Sequence, residues 1–523
     1  MSPPEATRIG AQHAEEAASG EFDLIVVGGG ITGAWATLLA ARAGLSVCLV
    51  EARDFGAGTS RVSHRILHGG FRYLQSLDLP RLRESVEERA MYSREFPDLV
   101  TPLACLMPLY GQGLKRPSAF KAAAIAYDLL KPKCDRDLPE SLRLASAGVV
   151  SAERTRDLFP LARPDGLKGG GVWHDAMMRS HPRILMTILR RASGLGAVAL
   201  NHTSACELLI ERGAVAGVRV DRSGRTLDLR AAAVLDTTGT QAGTWEGQKN
   251  DASVPAALAF NVILDREPVS SHAVAVTPPA TASDPSPRTY FLVTRSGRIA
   301  AGTSHVPAEG ASREALVVAM LDDLNRAAPG LNLEASDVLR IDAGLLPVER
   351  HGESEPSDRP TLIDHARVGG PARLATAVAV KYTTARRTAA EGLRLLGHDI
   401  SIKPAVDESR SNDADRPELT PDLLLDPAPS IDAILADSEA LEAFCLAEGV
   451  HSLEDLVLGR TEWGEHPAHA DSIGEPLFDA LGPRLGWDPS EKVSQLERLA
   501  HAARGDWPKV VEEPPSSGDH SAP

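Results

Sequence analysis

Residues 21–53 read EFDLIVVGGGITGAWATLLAARAGLSVCLVEAR. FDLIVVG is a continuous apolar run of strand length, and ITGAWATLLAARAG has the pattern of an amphipathic helix stopped by Gly44. LSVCLV is a second apolar run, ending at Glu51. Strand, helix and strand in this order predict a parallel sheet covered by helices. Gly28, Gly30 and Gly33 stand at the spacing G-x-G-x-x-G in the first turn. Gly28 permits the tight turn, Gly30 lets a pyrophosphate approach the backbone, and Gly33 lets the helix lie against the strand. The helix start at Ile31 and Thr32 then offers N–H groups and a partial positive charge to the diphosphate. Glu51, followed by Ala52, is placed to accept hydrogen bonds from ribose hydroxyls and would repel the 2′-phosphate of NADP.

Working outward, the second strand does not run into an ordinary second nucleotide-binding half. It is followed by TSRVSHRILHGGFRYL (59–74), where Arg61, His64, Arg65 and His68 fall within eight residues and precede Gly69 and Gly70. A segment rich in Thr, Ser, His and Arg that turns back to the diphosphate suits FAD better than NAD, with Thr59, Ser60 and Ser63 on phosphate oxygens. The same cluster on a nucleic-acid binder would sit in a basic chain. This chain carries a net charge of -16, which repels phosphate backbones.

The length of 523 residues allows several domains, and 43% hydrophobic with 24% charged residues is ordinary for a globular protein. Five cysteines, at 48, 105, 134, 206 and 445, are odd in number and show no CxxC spacing. Neither a disulfide framework nor a metal site is expected, and a reducing cytoplasm fits. Neither a secretory signal nor a membrane-spanning helix is expected from this sequence.

Residues 1–20 are expected to be a disordered leader and 508–523 a disordered tail. The polar, Pro- and Asp-rich stretch 404–422 is expected to link a body at 21–403 to a helical domain at 423–507. In the body, 215–239 alternates as a hairpin turning at Ser223-Gly224 and leads into the buried strand AAVLDTTG. RIAAGTSHV (298–306) predicts a further strand. Residues 81–96 predict a solvated amphipathic helix. Residues 113–133 are cationic and amphipathic, suited to packing on the body or to peripheral membrane contact.

These motifs closely resemble the FAD-dependent glycerol-3-phosphate dehydrogenase family, within the D-amino-acid-oxidase-like flavoproteins. The glycine fingerprint and HGGFRYL are joined, in order, by AIAYDLLK (124–131), WHDAMMRSHPRI (173–184), LDTTGTQAGTW (235–245), AAGTS (300–304), AGLLPVE (343–349) and VKYTTARRTAAEGL (380–393). The resemblance implies an α/β fold: a Rossmann-like FAD-binding domain interleaved with an antiparallel β substrate-binding domain, plus a C-terminal helical domain. It implies hydride transfer from a carbinol carbon to flavin N5, with electrons passed on to quinone or oxygen. It places His68, Gly69 and Gly70 against the cofactor, with Cys206, Thr238, Gly239, Tyr382 and Thr383 in the cofactor set. Tyr73 is expected to face substrate, and Lys381 to face the flavin pyrimidine or else solvent. His64 stands for a family serine and is open to phosphate contact, covalent tethering or simple packing. Arg65 stands for a family lysine and is open to flavin charge stabilisation or to a salt bridge.

The substrate end departs from the family. The segment matching AGLLPVE usually reads G-V-R-P, and its arginine helps to hold the substrate phosphate; Leu346 occupies that place here. A second family arginine aligns near Asp364, and Ala379-Val380 replaces a double glycine ahead of Lys381. Arg295 is either a relocated phosphate cation or a solvent-facing hairpin residue beside Ser296-Gly297. Each charge-assisted hydrogen bond to phosphate contributes roughly 1.5–3 kcal/mol, so losing both arginines argues against glycerol 3-phosphate. A polyol, sugar, cyclitol or hydroxy acid without a phosphomonoester is expected. The alternatives are a relocated phosphate site, or a flavin-binding scaffold without redox catalysis. A homodimer is compatible with all three.

Overall fold

A computed structural model describes residues 8–74, 78–111, 116–130, 134–242, 254–282, 284–308, 312–401, 419–505 and 507. The strand Glu21–Val27 pairs in parallel with Val47–Val50 on one side and Arg225–Asp236 on the other. Val198–Leu200 and Leu374–Val378 extend the parallel order outward, and Thr361–Asp364 adds an antiparallel edge. The expected hairpin is present: Ala214–Arg222 returns along Arg225–Asp236, with Ser223 and Gly224 both at positive φ in the turn.

A second sheet runs in the order Val338–Pro347, Ala256–Leu264, Arg298–Pro307, Tyr290–Arg295, Ala273–Val276, Val100–Leu109, Gly169–Met178, Ile66–Leu67. Its pairs are antiparallel except Ala273–Val276 against Val100–Leu109, which is parallel. Chain segments alternate between the sheets, so the body is two interleaved layers with a cleft between them. The helices of the C-terminal region, from Pro421–Leu425 to Lys492–Ala503, enclose a core of their own around Trp463, Leu477 and Phe444.

Three expectations need correction. The helix Ile31–Arg42 is not amphipathic, because every residue but Arg42 is buried. It is sandwiched between the first sheet and the helices His181–Gly194 and Ala385–Leu395, so it has no solvent face. The leader expected over 1–20 is packed from residue 8 onward. Ile9 bridges to Ala199, and Ala14 and Ala17 on the helix Ala14–Ala18 are buried, giving small apolar groups a sheet edge to cover. Within the expected linker, Leu419 is already buried and a helix starts at Pro421, capped by Thr420. The rest of that linker from 404 to 418, the tail 508–523 and residues 1–7 lie outside the described residues.

The helix Pro117–Leu130 packs Phe120, Ala124 and Tyr127 inward and leaves Ile125 and Leu129 exposed. Among the described residues no helix is long and apolar enough to cross a membrane.

Candidate functional site

A cleft of about 910 Å³ opens above the carboxyl end of the parallel strands, where the chain order of the sheet reverses. Its floor is the fingerprint turn. Gly28 adopts φ 103°, and a Cβ there would stand 2.8 Å from the Thr237 carbonyl carbon. A Cβ on Gly33 would stand 1.9 Å from the Gly28 carbonyl oxygen, so only glycine lets helix and strand meet. Thr237 staples the floor by donating its hydroxyl to the carbonyls of Val27 and Gly28, each at 2.9 Å.

Glu51 reaches the cleft from the tip of the second strand. Its carboxylate accepts the backbone N–H of Gly29 at 2.7 Å and of Arg53 at 2.8 Å, while burial pushes it above the usual carboxylate range. The segment 57–65 forms a wall. Ser60 Oγ accepts the Ile31 N–H at 3.0 Å, and Thr59 donates to the Leu345 carbonyl at 3.0 Å. Gly28, Gly30, Ile31, Thr32, Glu51, Ala52, Thr59, Ser60, Ser63, His64, Arg65, Thr238, Gly239, Lys381 and Tyr382 all line this one cleft.

Other expected residues do not reach it. Gly33 lies under the floor, as its packing role requires. Cys206 turns its thiol to the Arg219 carbonyl at 3.3 Å, on the outer hairpin, while its neighbours Ser204 and Ala205 line the cleft. Thr383 is buried in the turn Tyr382–Thr384. Gly69 and Gly70 are enclosed: a Cβ on Gly69 would meet the Tyr127 hydroxyl at 2.2 Å. His68 is half exposed beside the second sheet, with Nδ1 3.2 Å from the buried Asp175 and its ring beside Phe291. Asp175 also accepts the Gly69 N–H at 2.7 Å and the Trp173 indole at 3.2 Å. Burial raises its carboxyl, but His68, Gly69 and Arg89 outweigh that and hold it below the usual range. Tyr73 is buried, with Lys381 Nζ 4.6 Å from its ring centroid.

Arg295 and Arg65 are both held by buried carboxylates. Arg295 is neither exposed on a hairpin nor open to a ligand. It donates to Asp342 at 2.6 Å and to Glu465 at 2.6 and 2.8 Å, with 3% of its side chain exposed. Arg65 donates to Glu462 at 2.6 Å and Glu465 at 2.8 Å, which satisfies the salt-bridge alternative. Arg340 joins through Asp342 at 2.6 Å. Three guanidiniums thus face three carboxylates out of water, an arrangement stable only while every member is paired. Burial raises both glutamates; for Glu465 the guanidiniums of Arg295, Arg65 and Arg340 overcome it and hold the carboxyl well below its usual range, whereas Glu462 stays raised. Leu346 lines the cleft as an aliphatic side chain, and Asp364 lies outside it, capping the turn His365–Val368 and pairing with Arg367 at 3.0 Å. Burial, His68 and Arg295 together lower His64 to about 3, so this imidazole is neutral near pH 7.

Sequence reasoning missed Asn261, Asp175, Glu462 and Glu465. Asn261 accepts the Thr303 hydroxyl at 2.7 Å at the cleft wall; its signal was a lone amide inside the apolar run AALAFNVIL. The glutamates gave no local signal, because their partners lie far away in sequence.

The residues that line the cleft suit a flavin dinucleotide. Glycines without a Cβ under a helix start would hold a diphosphate, the Glu51 carboxylate would hold a ribose, and small polar residues lead on to the Lys381 turn. Such a cleft between a Rossmann-like sheet and a largely antiparallel second sheet defines a dinucleotide-dependent oxidoreductase architecture. The chain belongs to the FAD dependent oxidoreductase family, whose sequence pattern matches residues 23–378. FAD is its cofactor.

Glycerol-3-phosphate dehydrogenase 1 of Mycobacterium tuberculosis (strain H37Rv) is 30% identical over 408 residues, 74% of this chain and 75% of that protein. Aerobic glycerol-3-phosphate dehydrogenase of Bacillus subtilis is 28% identical over 349 residues, and the match covers 64% of this chain and 60% of the relative's length. Among solved structures, the glycerol-3-phosphate dehydrogenase of Bacillus halodurans complexed with FAD shares the fold at TM-score 0.66 and 20% identity, across 94% of this chain and 97% of that one. Glycine oxidase of Geobacillus kaustophilus shares it at TM-score 0.52 and 17% identity, across 73% and 96%.

Proposed function

We propose that this oxidoreductase acts on a C–OH group of a polyol, sugar, cyclitol or hydroxy acid that carries no phosphomonoester. The observation that carries this is the state of the cations at the substrate end. Leu346 stands in the cleft where the resemblance expects an arginine, and Arg295 is consumed by Asp342 and Glu465. A phosphate placed there would have to displace two buried carboxylates, at the cost of leaving them unpaired.

Bound FAD supplies the hydride acceptor. The chain's part is to orient the carbinol and to remove its proton. His68 suits the removal of the proton, because Asp175 holds Nδ1, which fixes the tautomer and leaves Nε2 as the basic atom. Tyr73 and Lys381, in contact with each other, are the proposed substrate-facing pair. Quinone or oxygen is the proposed electron acceptor, the cytoplasm the proposed location, and a homodimer fits the same reading.

The second reading, glycerol 3-phosphate oxidation through a relocated site, is favoured by the names of the relatives. Anaerobic mixing of the flavin-loaded protein with a panel of polyols, cyclitols, sugars, hydroxy acids and glycerol 3-phosphate separates the two. Loss of the oxidised flavin absorbance with an unphosphorylated alcohol supports the proposal. Rapid bleaching by glycerol 3-phosphate, followed by steady turnover, overturns it. No bleaching by any alcohol would favour a scaffold role.

A further inference from the structure

The wall 57–65, with Asp54 just ahead of it, is tied to the helical region by its charged side chains. Small polar residues, Thr59, Ser60 and Ser63, face the cleft. Arg61 and Arg65 also border the cleft, but their guanidinium groups are held by residues 454–465 of the helical region, and Asp54, behind the wall, is held by the same segment. Asp54 takes a two-pronged bond from Arg460 at 2.7 and 2.8 Å, and Asn201 adds a third donor at 3.0 Å. Arg61 donates to Glu454 at 2.7 Å, and Arg65 to Glu462 and Glu465. Just beside this seam, His202 lies 2.9 Å from Asp455, while its backbone N–H is bonded to the Arg53 carbonyl at 2.9 Å.

The wall needs such support. It contains only the short turn Thr59–Val62, and Arg65 sits at φ 63°, a left-handed conformation that a non-glycine residue keeps only when its surroundings enforce it. The approach is close enough that a Cβ on Gly459 would stand 2.2 Å from Asp54 Oδ2. The cluster of Asp54, His202 and Asp455 could hold a cation by distance alone, but Arg460 already provides the positive charge there.

We infer that the segment 454–465 is a clamp that positions the FAD-binding wall, so that docking of the helical region and retention of FAD are one coupled equilibrium. Glu454 and Arg460 are positioning residues, acting on FAD through Arg61 and Asp54. Coupling between two sites is reciprocal, so FAD must stabilise the clamp as much as the clamp stabilises FAD.

The inference rests on FAD lying in the cleft, and the test keeps the two separable. FAD affinity of the full-length wild type is compared with Glu454→Gln and Arg460→Lys, while hydrogen exchange of residues 454–465 is followed with and without FAD. The expected result is about tenfold weaker FAD binding in each single variant, within the range usual for coupled sites. FAD should slow exchange in 454–465 of the wild type. Folded variants that bind FAD as tightly as wild type, with exchange in 454–465 indifferent to FAD, overturn the clamp. A wild type that takes up no FAD overturns the cleft assignment and the clamp with it.

Discussion

Single residues carry the chemistry that can be tested most directly. His68→Asn keeps a hydrogen bond to Asp175 but removes the basic nitrogen. With a substrate identified by flavin bleaching, kcat is expected to fall about 10²- to 10⁴-fold with FAD binding retained. A variant with undiminished kcat would remove His68 from the mechanism. Asp455 offers a pH test. Burial raises its carboxyl, yet His202, Arg460 and the His451 N–H outweigh that and lower it to about 2. The folded value lies below the unfolded one of about 3.9, so its contribution is present above that pH and disappears as pH falls towards 2. The loss amounts to about 2 kcal/mol. Asp455→Asn should flatten the acid limb of a urea-midpoint profile between about pH 5 and 2, while an unchanged limb would assign acid sensitivity elsewhere.

At the scale of elements, the fingerprint unit was legible because its signals are local. Continuous apolar runs announce buried strands, and three glycines mark where backbone meets backbone. The crossing of the helix Ile31–Arg42 over the strand Glu21–Val27 depends on one of them. Gly33→Ala would push a methyl group into the Gly28 carbonyl and Thr237, so the helix must shift. The expected cost is about 2–3 kcal/mol, with protein purified free of yellow colour and melting several degrees lower. A yellow Gly33→Ala protein of normal melting temperature would contradict this packing. The same helix shows where pattern reading failed. Its composition suggested an exposed face, but three neighbouring layers bury it, and no stretch of local sequence records how many neighbours an element will acquire.

At the scale of the whole molecule, FAD is expected to act as a ligand of the folded state. At a free concentration one hundred times its dissociation constant it should add about 2.7 kcal/mol of stability. Thermal melts at rising FAD concentration check this, and a melting temperature indifferent to FAD would count against a cleft formed only on folding. The assembly also decides what Arg295 and Arg65 do. Read alone, each looked available for a phosphate or a flavin; in the folded chain both are consumed by Glu465, 170 and 400 residues further on. From the order of residues alone came the parallel nucleotide-binding unit, the glycine floor, the acid at the tip of the second strand, the hairpin and the helical C-terminal region. All of these rest on contacts between near neighbours or on the periodicity of one element. The burial of the fingerprint helix, the packed residues 8–20, the Asp175–His68 pair and the six-membered ion network emerged only in three dimensions. A charged side chain takes its role from whichever opposite charge folding brings within about 3 Å, and that distance is unrelated to separation along the chain.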